Sequence, residues 1–164
     1  MRIYFDHAAT SSVRSEVKNF LSDKGNLEFF NPSSVHAEGQ SSRSKINNAR
    51  DIIASLIKSD PDNILFTSSG TEACNYIINM TIKTYGIENI IYLPTEHKAV
   101  VDTIFNKKIN QYQCKITNQG LIDLDNFQEC ISQCIGKTLV CVMLINNETG
   151  LIQPIEKISK TCQE

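Results

Sequence analysis

Leu139-Val140-Cys141-Val142-Met143-Leu144-Ile145 is apolar at every position and runs straight into Asn146-Asn147-Glu148-Thr149-Gly150. A strand with one wet face alternates apolar and polar residues. One that is apolar throughout is expected to be covered on both faces, as in a parallel sheet held between helices. Outward from this stretch the same pattern recurs. Ile64-Leu65-Phe66-Thr67 leads into Ser68-Ser69-Gly70-Thr71-Glu72, and Ile90-Ile91-Tyr92-Leu93 is followed by Thr95-Glu96-His97-Lys98. Tyr112-Gln113-Cys114-Lys115-Ile116 reads as a fourth strand.

Between the strands, apolar residues return at helical spacing: Ile46, Ala49, Ile53 and Leu56; Cys74, Ile77, Ile78, Thr81 and Ile82; Val101, Ile104 and Phe105; Leu124, Phe127, Ile131 and Cys134. These are expected to be core faces. Alternating strands and helices predict an α/β fold of three layers, αβα, around a mostly parallel sheet. Before residue 60 the pattern is less regular, with a short strand at Ile3 to Phe5, a short helix near Arg14 to Leu21, and a polar loop Asn31-Pro32-Ser33-Ser34. The expectation is a single partial domain over 1–164, with 1–60 as an amino-terminal segment and 61–164 as the sheet-bearing part.

A chain of 164 residues with 41% hydrophobic and 21% charged residues has the composition of a body with a real core. A net charge of -2, with Lys107-Lys108 as the longest basic run, gives no footprint for nucleic acid or an anionic membrane. The amino terminus reaches charge at Arg2 and Asp6, and no apolar stretch approaches membrane-spanning length, so a cytoplasmic location is expected. The six cysteines, at 74, 114, 130, 134, 141 and 162, are expected to be reduced, and none forms a Cys-x-x-Cys pair. Cys130 and Cys134 share one helical face, but two thiols do not complete a metal site, and burial as small hydrophobes accounts for them.

In open α/β sheets ligands bind beyond the carboxyl ends of the strands, so the three polar loops are expected to converge on one site. At the first, small residues at a helix start let backbone N–H groups approach an anion such as phosphate. The same letters also read as a capping box, with Ser69 serving the amide of Glu72 and Glu72 reaching back. At the second, with Thr95 as the expected N-cap, His97 is a general base, a metal ligand or a flat ring for stacking. At the third, Asn147 is either a hydrogen-bonding group for a ring oxygen or simply a turn residue.

Five segments in one order carry a resemblance. Tyr4-Phe5-Asp6-His7-Ala8-Ala9-Thr10, Asn31-Pro32-Ser33-Ser34-x-His36, Phe66 to Glu72, Thr95-Glu96-His97-Lys98-Ala99-Val100 and Asn146 to Gly150 resemble the amino-terminal half of the cysteine desulfurases. That family belongs to the class V branch of the fold type I pyridoxal-phosphate enzymes. The resemblance implies part of the large domain of that fold and a reaction in which pyridoxal phosphate serves as electron sink while sulfur passes from cysteine to an enzyme thiolate, leaving alanine.

It also implies that Gly70 and Thr71 hold the cofactor phosphate, that His97 stacks on its ring, and that Asn147 lies near its phenolic oxygen. Ala8 to Thr10 and the Asn31 loop line the substrate side. The Schiff-base lysine follows Ser-x-His in the family, and none of the twelve lysines here does. The persulfide cysteine likewise has no counterpart, so no catalytic residue is assigned. The family forms homodimers and works with iron–sulfur scaffold proteins.

Within the matched region, Phe30 stands where the family has glycine and Cys74 where it has aspartate, while Ser11-Ser12 replaces Thr-Pro. A phenylalanine at a backbone position requiring φ > 0 would be strained. Carrying over the family's sheet order puts the Ile64 strand at one edge, apart from the other three. Three readings follow: half of a split enzyme completed by a second polypeptide, a degenerate relic without activity, or a non-catalytic cofactor- or partner-binding module.

Overall fold

The computed structural model describes residues 3–23 and 29–163. The chain divides into two compact units, Met1–Phe66 and Thr67–Glu164, and the boundary falls just before the first polar loop.

The first unit is built on helices α1 (Ser15–Ser22) and α2 (Ala37–Ile57), followed by a 3₁₀ turn at Pro61–Asn63. His36 caps α2 through its ring, and the helix ends on Lys58 in the left-handed region at φ 56. At the start of α2 the backbone passes unusually close to the Asn31 loop: a Cβ on Gly39 would sit 2.6 Å from Ser34 Cβ and 2.8 Å from the Asn31 carbonyl oxygen. Only glycine fits there, and Arg43 closes the loop from outside by donating Nε to the Pro32 carbonyl at 2.7 Å.

Several expectations for this unit are corrected. Neither Ile3–Phe5 nor Ile64–Thr67 forms a strand. The second run lies along α2 instead, where Arg50 donates Nε to the Ile64 carbonyl at 3.3 Å and stands over the Phe66 ring at 5.5 Å. The expected face Ile46, Ala49, Ile53 and Leu56 is exposed and is no core face; among the apolar residues of α2 only Ala54, outside that set, is buried. Phe30 is not strained. Among the described residues Lys58 alone of the non-glycines has positive φ, and the Phe30 N–H donates to Ser42 Oγ at 2.9 Å.

The second unit is a parallel sheet between two helical layers. Its elements are α3 (Gly70–Tyr85), β1 (Asn89–Tyr92), α4 (Lys98–Phe105), β2 (Asn110–Gln113), α5 (Leu124–Gln133), β3 (Thr138–Cys141) and α6 (Ile155–Thr161). The order is β2-β1-β3, with β1 parallel to both neighbours. β1 is buried at all four positions, and its alternation assigns the layers. Ile91, with Leu93 beyond it, packs with Phe127 and Cys130 of α5 and Ile158 of α6. Ile90 and Tyr92 face Ile104 of α4, with Ile82 of α3 packed alongside. Cys114 and Cys130 are core residues, as expected of small hydrophobes.

The predicted strands at 112–116 and 139–145 are shifted and shortened. Lys115 N–H leaves the ladder for Asn126 Oδ1 at 2.8 Å, and Met143 N–H is taken by a side chain, so strand pairing ends at Gln113 and Cys141. Residues 144–153 then fold back, with Gln153 N–H donating to the Leu144 carbonyl at 2.9 Å around an Ile145–Ile152 bridge. No helix among the described residues is long and apolar enough to cross a membrane.

Candidate functional site

All three polar loops belong to the second unit. Ser69 caps α3, its Oγ accepting the Glu72 N–H at 3.2 Å. Glu72 reaches back one residue farther than a reciprocal capping box requires: one carboxylate oxygen accepts both the N–H and the hydroxyl of Ser68, each at 2.6 Å. The Ser68 hydroxyl first, and then its N–H, hold the Glu72 carboxyl below its ordinary range. The N–H groups of Gly70 and Thr71 lie in the first turn, where the helix offers no acceptor. Beside Gly70 the space is open, with nothing within 4 Å of where a Cβ would stand. Two backbone donors, the exposed Thr71 hydroxyl and the positive end of a sixteen-residue helix are a donor set that fits a phosphate.

His97, not Thr95, caps α4. Its Nδ1 accepts the Ala99 N–H at 3.0 Å, which requires an unprotonated Nδ1 and leaves the ring proton on Nε2. The capping bond fixes one edge of the imidazole while the side chain stays exposed, so a face remains available for stacking.

At the third loop the organising residue is Asn146. Its Oδ1 accepts the Glu148 N–H at 3.0 Å, the Thr149 N–H at 2.9 Å and the Thr149 hydroxyl at 3.1 Å. Gly150, at φ 71, closes the turn by donating its N–H to the Asn146 carbonyl at 2.8 Å. Asn147 is exposed, and its amide bonds Glu148 Oε1 at 2.9 Å.

Two long-range bonds tie the second loop to the segment after β3, one of them reaching the third loop itself. Asn146 Nδ2 donates to the Thr95 carbonyl at 3.1 Å, and Glu96 Oε1 accepts the Met143 N–H at 2.6 Å. The first loop meets the second along the α3–α4 contact. Thr71 and Lys98 line one cavity of about 430 Å³, and Cys74 and His97 line another of about 410 Å³ with Glu96 and Cys141. Burial pushes the Glu96 carboxyl up. Burial, and then the nearby Glu96 charge, push the Cys141 thiol to about 12, so it is no nucleophile.

Gly70, Thr71, His97 and Asn147 therefore stand on three loops of one unit, and the second and third are hydrogen-bonded together. Ala8–Thr10 and the Asn31 loop lie in the first unit, where Asp6 Oδ1 accepts the Ala9 N–H at 3.3 Å and Asn31 Oδ1 the Ser33 N–H at 2.9 Å. Among the described residues no cluster of three or more His, Cys, Asp or Glu is arranged to hold a metal. Sequence reading passed over Glu96 and Asn146; each sits beside an expected site residue, but its bond reaches across some fifty positions and leaves no local signal.

The model of the class-V aminotransferase family matches residues 3–164. The cysteine desulfurase IscS of Methylobacillus flagellatus is 36% identical over 169 residues, covering 99% of this chain and 41% of that protein. A solved NifS-like protein superposes with a TM-score of 0.89 at 30% identity, over 99% of this chain and 46% of that one. A structure described as SspA in complex with cysteine gives a TM-score of 0.83 at 29% identity, covering 98% and 47%. The chain spans about 40% of the length of the curated relatives it matches. Its three-stranded sheet with the flanking helices is an incomplete large domain of the fold type I pyridoxal-phosphate enzymes. The chain belongs to the class-V aminotransferase family and corresponds to the amino-terminal portion of its cysteine desulfurases.

Proposed function

We propose that these 164 residues supply one side of a pyridoxal-phosphate site for a cysteine desulfurase reaction. Gly70 and Thr71 bind the phosphate through two N–H groups and a hydroxyl. His97 presents its neutral ring to the pyridine, and Asn147 hydrogen-bonds the ring oxygen or the substrate. The single observation that carries the reading is the open, acceptor-free first turn of α3 standing in one unit with His97 and Asn147 on bonded loops. When bound, pyridoxal phosphate supplies the electron sink for sulfur transfer from cysteine. The chain's own part is to bind and orient: α3 neutralises the phosphate with backbone dipoles, and α4 holds the His97 ring by its cap.

With no lysine after Ser-x-His among their twelve, these 164 residues alone are proposed to bind without turnover, as the amino-terminal portion of an enzyme whose Schiff-base lysine and persulfide cysteine lie outside them. Residues 1–164 are then one partial domain. The partners inferred are a complementing carboxy-terminal half, a second copy and an iron–sulfur scaffold protein, in the cytoplasm. The net charge of -2 argues against nucleic acid.

Titration of the purified chain with pyridoxal phosphate, followed by amide shifts at Gly70 and Thr71 and ring shifts at His97, tests the binding. Saturable shifts at all three with no sulfide released from cysteine are expected. Sulfide release by the chain alone would overturn the division of labour, and absence of shifts would overturn the site. A degenerate relic predicts neither binding nor sulfide release when a complementing carboxy-terminal half is added.

A further inference from the structure

Within the loop Thr95 to Lys98, the side chain that reaches farthest is that of Glu96. Its carboxylate is half-buried, and among the described residues it forms no ion pair. What holds it is the Met143 N–H, 47 residues away, at 2.6 Å. That N–H lies two residues beyond the end of β3, where no strand takes it. From the opposite direction Asn146 donates to the carbonyl of Thr95. Consecutive residues are thus anchored to the segment that follows β3, one through its carbonyl and one through its side chain. The next residue in the chain is His97, whose ring is held by the Ala99 N–H.

Burial pushes the Glu96 carboxyl up, so in this setting the ionised group is desolvated and depends on the one bond. Glu96 and His97 line the same cavity with Cys74 and Cys141. Any loosening of Glu96 is passed directly to the backbone that enters the α4 cap.

We propose that Glu96 is a positioning residue for His97: its bond to Met143 fixes the backbone from which the imidazole is presented and ties it to the segment between β3 and the loop that carries Asn147. The proposal rests on the cofactor reading above for what His97 contacts, but the coupling itself is a property of the free chain.

The experiment uses the 164-residue chain with Glu96→Ala, Glu96→Gln and Glu96→Asp. Without ligand, amide exchange at Met143 and Ala99 is followed by NMR. Glu96→Ala is expected to speed exchange at both by roughly tenfold, and Glu96→Gln, which keeps an acceptor oxygen, to restore both to within about twofold. With pyridoxal phosphate, Glu96→Ala weakens the His97 ring response roughly tenfold, while the Gly70 amide still responds to inorganic phosphate as in the parent.

Faster exchange at Met143 with Ala99 unchanged would overturn the coupling, as would failure of Glu96→Gln to rescue. Should Glu96→Ala not fold, Glu96→Asp decides in its place, because the shortened carboxylate falls short of Met143. A parent chain silent to pyridoxal phosphate removes the cofactor reading, and the exchange measurement still decides the coupling.

Discussion

Asn89 on β1 and Asn110 on β2 stand in register, and the Asn110 amide donates to Asn89 Oδ1 at 3.1 Å. Asn89 is 0% exposed, and its own amide donates to the Ile135 carbonyl at 2.8 Å. One buried polar side chain thus joins β1, β2 and the turn before β3. Asn89→Ala removes both hydrogen bonds and empties the site of a fully buried side chain, and a loss of about 1–3 kcal/mol is expected in denaturant unfolding. A loss within measurement error would mean that water replaces the side chain.

Gly70 separates binding from stability. With open space beside it, Gly70→Ala introduces no clash and keeps helix-compatible backbone, so thermal stability is expected to hold or rise by at most about 1 kcal/mol. The added methyl group stands where an anion would approach the first-turn N–H groups, so affinity for pyridoxal phosphate is expected to fall roughly tenfold or more. Calorimetry of unfolding and of binding on one preparation checks both.

His97 has two functions that substitution can divide. Asparagine is a good N-cap, so His97→Asn is expected to unfold near the parent midpoint, whereas His97→Ala loses about 1 kcal/mol of capping. Both variants lose the ring, and with it about 0.5–1.5 kcal/mol of stacking on a heteroaromatic ligand. Ligand affinity that follows the unfolding midpoint instead of the ring would contradict the stacking role.

Glu96 sets a pH dependence. Its folded carboxyl is raised above 4.5, so the folded chain holds that proton more firmly than the unfolded one. The stability this contributes is fully present below pH 4.5 and is lost as pH rises through the folded value. Glu96→Gln keeps the acceptor and never ionises, so it is expected to be slightly more stable than the parent at neutral pH. Unfolding midpoints measured against pH should converge as pH falls below 4.5.

The helices of the second unit were legible because Ile78, Ile104 and Phe127 are each the buried member of an amphipathic repeat. β1 was legible because four consecutive residues are covered on both faces. Ile64–Thr67 reads like a strand, yet strand identity depends on a partner backbone, and what that run meets is α2 with Arg50. Helical spacing likewise gives a stripe on α2 but not what covers it. At the site, Ser69 was readable as a cap because Ser-x-x-Glu is local. The cap on α4 was misassigned to Thr95, because a histidine accepting an N–H two residues on has no strong sequence signature. Glu96 and Asn146 act at a distance that no window of sequence spans.

The placement of β1 between β2 and β3 also orders events in time. In chain order both strands of the β1–β2 pair are complete by residue 113, while β3 does not begin until residue 138. Through that interval one edge of β1 is bare, and the Asn89 amide waits for the Ile135 carbonyl. A pause in translation between these points would hold a two-stranded nascent sheet with an open apolar edge, the form that a chaperone recognises.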